Sequence, residues 1–334
     1  MAGIGDATVI DIHAHAVLAE TMGRAGAYGP EIGFDDDDTP WFRIGDYRLM
    51  GVRYVGSPFM DVDLRVQRMD DAGIDFQVLS PNPLTYFHFI PEAEAIAFCQ
   101  THNDALAATV ARHPNRLAGL AALPIQNPVA AIEELTRSVK ELGLWGGYIG
   151  TACPLPLDDP AFDKFYDAFV SLDVPLFIHP SPAGIDGPPG DPVLKRFDLD
   201  LLVGFAQQET AVLATLIYGG VPHRHPKLDI CISHGGGMIA FAAGRLSQAA
   251  AKRPWAPQWL KADGAFEEAM AAIWYDTHVH DDRALALLKE VVGGERLVFG
   301  TNFAGWDQPE KVHIGPDAAT LGANARRLLR QEGR

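Results

Sequence analysis

The chain has 334 residues, 48% of them hydrophobic, and its 43 acidic side chains outnumber the 27 basic ones for a formal charge of −16. A surface that acidic repels nucleic acid and anionic membranes, so neither is expected as a partner. The start of the chain lacks the pattern of a secretory leader and no run of 18 apolar residues stands out, so a soluble cytoplasmic protein is expected, with 1–334 read as one domain.

Short apolar or β-branched runs lie at 9–13, 76–80, 117–124, 145–151, 175–179, 228–233, 274–277 and 296–300. Segments of helical periodicity at 61–72, 92–113, 128–142, 159–172, 201–218, 238–251 and 281–291 separate them. Eight strands alternating with helices predict an α/β fold, a parallel (β/α)8 TIM barrel. The strands are apolar almost throughout, as expected when both faces are covered. Residues 20–60 interrupt the first βα unit and read as a small insertion with short strands over the barrel mouth. Residues 180–200, rich in Pro and Gly, form a long loop after strand five, in the position of a substrate lid. The run Asp35-Asp36-Asp37-Asp38 reads as a solvated loop. Cys99, Cys153 and Cys231 are too scattered for a disulfide framework or a zinc ribbon.

Chemistry concentrates at the carboxyl ends of the predicted strands, where barrels of this kind carry their active sites. Strand one ends Asp11-Ile12-His13-Ala14-His15, and residues two apart on a strand face the same side. Strand five ends in His179, strand six in His234, and strand eight in Thr301-Asn302. A single histidine at a strand end is usually structural. Four of them at matching ends of three strands point to a metal centre, because imidazole is a common ligand and three protein ligands plus water is the catalytic zinc pattern. His88 either touches substrate or begins an aromatic-rich helix. His223-Arg224-His225 lies at the opposite end of the barrel and reads as a solvated turn.

Several stretches together resemble the decarboxylase branch of the amidohydrolase superfamily. They are Asp11-Ile12-His13-Ala14-His15, the run from Arg116 to Pro124, Val139-Lys140-Glu141-Leu142-Gly143 and Leu176-Phe177-Ile178-His179-Pro180. Ser233-His234-Gly235-Gly236-Gly237 and Gly322-Ala323-Asn324-Ala325 complete the set, so that the likeness spans nearly the whole chain. The resemblance implies a divalent metal, zinc with manganese as the other choice, held by His13, His15 and His179. It implies that His234 is the acid/base group and that Arg53 and Arg245 hold carboxylates of a small anionic substrate. In that branch the second arginine crosses a subunit interface, which implies a homodimer. A planar guanidinium fork suits a carboxylate. The implied reaction is decarboxylation of an unsaturated or aromatic carboxylic acid.

One position departs from the pattern. The branch ends strand eight with a metal-binding Asp, whereas this chain reads Gly300-Thr301-Asn302-Phe303-Ala304-Gly305-Trp306. An amide is neutral, a weak ligand, and unable to exchange a proton near pH 7. The metal should therefore polarise its ligands more strongly and bind less tightly, and another group should replace the lost carboxylate. His278, Asp276 and Asp307 are the candidates, with His278 read as lining the substrate pocket and His280 as structural. A hydratase or hydrolase of the same superfamily, and a non-catalytic metal binder, are the alternatives.

Overall fold

The computed structural model describes residues 3–308 and 317–332. Alternation of side chains along each strand explains the architecture. From β1 (Ile10–Ala16) the chain enters an insertion with β2 (Glu31–Phe34), β3 (Pro40–Ile44) and β4 (Tyr47–Met50). It returns to the barrel as β5 (Phe76–Pro81), β6 (Leu117–Gly119), β7 (Ala121–Ala122), β8 (Gly147–Gly150) and β9 (Leu176–His179). The last strands are β10 (Ile230–Ile232), β11 (Trp274–Asp276) and β12 (Leu297–Val298). β6 and β7 are two halves of the third barrel strand, parted at Leu120.

The parallel arcs β1-β5-β6 and β7 through β12 close on each other. At the seam Ile12 N donates to Phe299 O at 3.0 Å, and Ala14 bridges Phe303. Gly300 lies beside this seam, where a Cβ would meet that of His13 at 2.8 Å. The expected eight-stranded barrel is therefore present. Ile12, Val78, Leu120, Tyr148, Phe177 and Trp274 fill its lumen, while alternate residues such as Leu79, Ile149, Ile178 and Ile232 pack outward.

The outward residues meet the helices α1 (Val62–Ala72), α2 (Glu92–Val110), α3 (Pro128–Lys140) and α4 (Asp163–Leu172). They continue with α5 (Leu199–Leu202), α6 (Gly204–Tyr218), α7 (Val221–Arg224), α8 (Ile239–Lys252), α9 (Ala265–Ala271) and α10 (Asp282–Val292). Asp61, Asn127 and Asp281 start α1, α3 and α10 by accepting bonds from the free backbone N–H groups of their first turns. The final helix α11 (Ala318–Leu328) plugs the amino end of the barrel. Its Asn324 donates to Gly294 O and Leu297 O at 2.8 and 2.7 Å. Gly322 is required there, because a side chain would strike the Thr8 carbonyl.

In the insertion, β2, β3 and β4 form an antiparallel sheet whose Phe42 and Ile44 pack with Tyr54, Phe87 and Phe98. Tyr54 accepts a bond from Asn82, just past the end of β5, which ties the insertion to the carboxyl end of the barrel. Asp36, Asp37 and Asp38 are exposed at the β2–β3 turn, as read from the sequence.

Two expectations need correction. Residues Leu199–Tyr218 do form a segment long and apolar enough to cross a membrane, with mean hydropathy 1.3. In the fold Val212, Leu213, Leu216 and Ile217 of that segment belong to the core between helices and barrel, while Leu202 and Val203 near its start are exposed. Within the 223–225 stretch His223 and Arg224 are exposed, as read from the sequence, but His225 is not. His225 is buried between Asp163 and Asp167 at 3.0 and 3.1 Å, and His223 stacks on Trp259.

Asn324→Ala should strand the Gly294 and Leu297 carbonyls at the barrel floor. We expect a loss of about 2 kcal/mol in unfolding free energy by urea titration.

Candidate metal centre

The end of β1 is held by a buried polar network before any ligand is considered. The register of β1 on β5 shifts between Asp11 and Ala14, so the strand carries an extra residue where the His-x-His begins. Asp11 accepts from Gln77 Nε2 at 2.9 Å, Thr301 Oγ1 at 2.7 Å and the backbone N of His13 at 3.0 Å. Burial nevertheless pushes its carboxyl up to about 6. The fully buried Arg65 donates to His15 O at 2.6 Å, Gln77 Oε1 at 2.7 Å and Pro58 O at 2.8 Å. These bonds fix the direction in which both histidines leave the strand.

His13 and His15 meet His179, at the end of β9, with ring centroids 4.7 to 5.1 Å apart. Each ring commits its Nδ1–H to an acceptor: His13 to Asp276 Oδ2 at 2.7 Å, His15 to Pro81 O at 2.9 Å, His179 to Pro180 O at 2.6 Å. That leaves the three Nε2 lone pairs buried and without a partner among the described residues. One ligand atom from each ring lies within 4.8 Å of the others. Burial, then neighbouring histidine charge, drives the proton off His13 and His179, and burial lowers His15 to about 3. Three neutral imidazoles with convergent lone pairs and fixed outer bonds are the donor set of a divalent cation. The residues present fit such an ion.

His234 adjoins this set, its ring 4.9 Å from those of His13 and His179. It sits at φ 47° ahead of three positive-φ glycines, a tight turn that aims the ring into the cavity. Its Nδ1–H donates to Glu209 Oε1 at 2.7 Å, and Ser233 Oγ donates to the same oxygen at 2.5 Å. Burial disfavours the imidazolium, but the Glu209 carboxylate outweighs it and raises His234 to about 9. Glu209 was not anticipated from the sequence. Its signal is that it is the single charged residue from 201 to 218, an isolated carboxylate inside an apolar helix.

His278 also reaches the cavity, 5.4 Å from His13 and 5.5 Å from His234 between ring centroids. Its Nε2–H donates to Asp307 Oδ2 at 3.0 Å, while Asn302 Nδ2 donates to Asp307 Oδ1 at 2.6 Å. Burial acts to raise Asp307, but the bonds from His278 and Asn302 with nearby histidine charge hold it well below the carboxylate range. His280 is exposed. His88 is buried against Tyr86 with Nδ1 on Ala152 O at 3.1 Å, a packing role.

The two arginines do not join the cluster. Arg53, 54% exposed, pairs with Asp38 at 3.5 Å and lies over Phe34. Arg245 is exposed on α8. Both were reached through motif likeness, and neither side chain is drawn inward by a contact within one copy of the chain.

A closed (β/α)8 barrel with three histidines of β1 and β9 converging at its carboxyl end defines a class of metal-dependent enzyme. The family model described as Amidohydrolase matches residues 10–331. The chain belongs to that family. It is 32% identical over 253 residues to 2-amino-3-carboxymuconate-6-semialdehyde decarboxylase of Dictyostelium discoideum, covering 75% of this chain and 68% of that protein. It is 29% identical over 326 residues to gamma-resorcylate decarboxylase of Rhizobium radiobacter, covering 89% and 94%. The fold matches the apo crystal structure of Metarhizium anisopliae IDCase with TM-score 0.81 at 20% identity, over 98% of each chain.

Chelated protein should regain thermal stability on adding one divalent ion. His179→Ala should weaken that tight binding at least about tenfold and erase the melting shift, whereas His234→Ala should leave both in place.

Proposed function

We propose that this protein is a metal-dependent carboxy-lyase that releases CO2 from a small unsaturated or aromatic carboxylic acid. The observation that carries the reading is the convergence of three imidazole nitrogens, unpartnered among the described residues, beside the hydrogen-bonded His234–Glu209 pair. The decarboxylases among its relatives support it. Zinc is our choice of ion; His13, His15 and His179 would hold it, and when bound it would supply Lewis acidity. His234 delivers the proton that replaces the departing carboxylate. The bond from carbon to the carboxylate carbon breaks, its electron pair stays on the substrate carbon, and that pair takes the proton from His234 Nε2. Glu209 stabilises the imidazolium until transfer and orients the ring through Nδ1. Tyr86, whose buried hydroxyl has no partner among the described residues, offers a donor on the His179 side.

A cation for the substrate carboxylate is best supplied by a second copy of the chain. Met238, Phe241 and Arg245 share one face of the segment from Met238 into α8, and the first two are 43% and 88% exposed. Covering that apolar strip in a homodimer would carry Arg245 to a neighbouring cavity. Arg53 and His278 are the remaining candidates for substrate contact.

Asn302 favours a second reading, a hydratase built on the same centre, because strand eight presents an amide where the decarboxylase pattern has a carboxylate. A panel of muconate, salicylate and resorcylate acids separates the two. We expect CO2 release; water addition without CO2 would establish the hydratase.

His234→Ala should lower turnover at least about a hundredfold with metal retained. Because Glu209 favours the protonated ring, Glu209→Gln should move the alkaline limb of kcat down by about one pH unit or more.

A further inference from the structure

A second set of donors faces the same cavity. His234, His278 and Asp307 each offer one ligand atom, and the three atoms lie within 4.8 Å of one another. None of them belongs to the His13, His15 and His179 set. The arrangement is fixed from behind. Glu209 occupies Nδ1 of His234, so Nε2 is the nitrogen left for the cavity. Asn302 Nδ2 pins Oδ1 of Asp307, leaving Oδ2 to His278 and, at 3.3 Å, to His280. His278 is only 4% exposed and the Asp307 side chain 11%. Three different loops, after β10, β11 and β12, bring these side chains to one point.

We propose that His234, His278 and Asp307 form a second divalent-cation seat beside the first, and that filling it withdraws His234 from proton transfer. The inference rests on the His13, His15 and His179 centre and on the role given to His234 above. Two imidazole nitrogens and a carboxylate oxygen suit zinc or manganese. The seat is the weaker one, since Asp307 must release its bond from His278 and both imidazoles must present lone pairs. With Nε2 of His234 engaged, no lone pair there remains to carry a proton. Turnover therefore rises with the first equivalent of metal and falls with the second.

The test is to titrate metal-free protein with Mn2+, counting bound ions by equilibrium dialysis and following the electron paramagnetic resonance spectrum. Wild type should bind two ions per chain, the second at least about tenfold more weakly, with the spin-coupled signal of ions a few ångströms apart. Asp307→Asn and His278→Gln should bind one ion and lose the coupled signal. Asn302→Leu, which removes none of the three donors, should weaken the second ion alone. The ratio of rates at excess and at one equivalent should be below about 0.1 for wild type and near one for Asp307→Asn. A single ion in wild type, or a second ion that survives both substitutions, overturns the proposal and leaves the first seat intact. Wild type that binds no ion tightly overturns the first seat and the function built on it.

Discussion

Three imidazole lone pairs aimed at one buried point make a costly arrangement unless a cation lies among them, because each is buried and meets no donor among the described residues. The surrounding structure enforces that arrangement. Each ring has its other nitrogen bound to a fixed acceptor, so rotation to relieve the lone pair would break a second buried bond. These outer bonds hold the three rings in the geometry a cation needs, which is the condition for tight and selective binding.

The enforcement comes from polar groups that a barrel core would otherwise exclude. Asp11, Arg65, Gln77 and Thr301 form a buried set in which a carboxylate and a guanidinium are satisfied through neutral partners and backbone carbonyls. Asp276 links the adjoining strand to His13. Charge is concentrated where direction matters, and the remainder of the lumen is apolar.

Strand periodicity made the barrel and its histidines legible. Residues at strand ends are placed by local sequence, so His13, His15, His179 and His234 could be grouped without coordinates. Glu209 could not, because it reaches His234 from a helix 25 residues earlier and its facing depends on how α6 packs. Arg53 and Arg245 show the converse. Motif likeness assigns them to a site, yet within one chain their side chains face solvent. His225 was misread for a similar reason: its partners Asp163 and Asp167 lie some 60 residues away on α4. The apolar stretch of α6 gives no sign in sequence of which residues enter the core; Val212, Leu213, Leu216 and Ile217 do.

The seam between the first and last strands ties residues that are almost the whole chain apart, as in the bond from Thr301 to Asp11, 290 positions distant. On the ribosome, β1 emerges early but waits for β12 and α11 before its neighbours are complete. The earliest-made ligands therefore gain the last part of their orienting network, the bonds from Thr301 to Asp11, only once the final strand is in place.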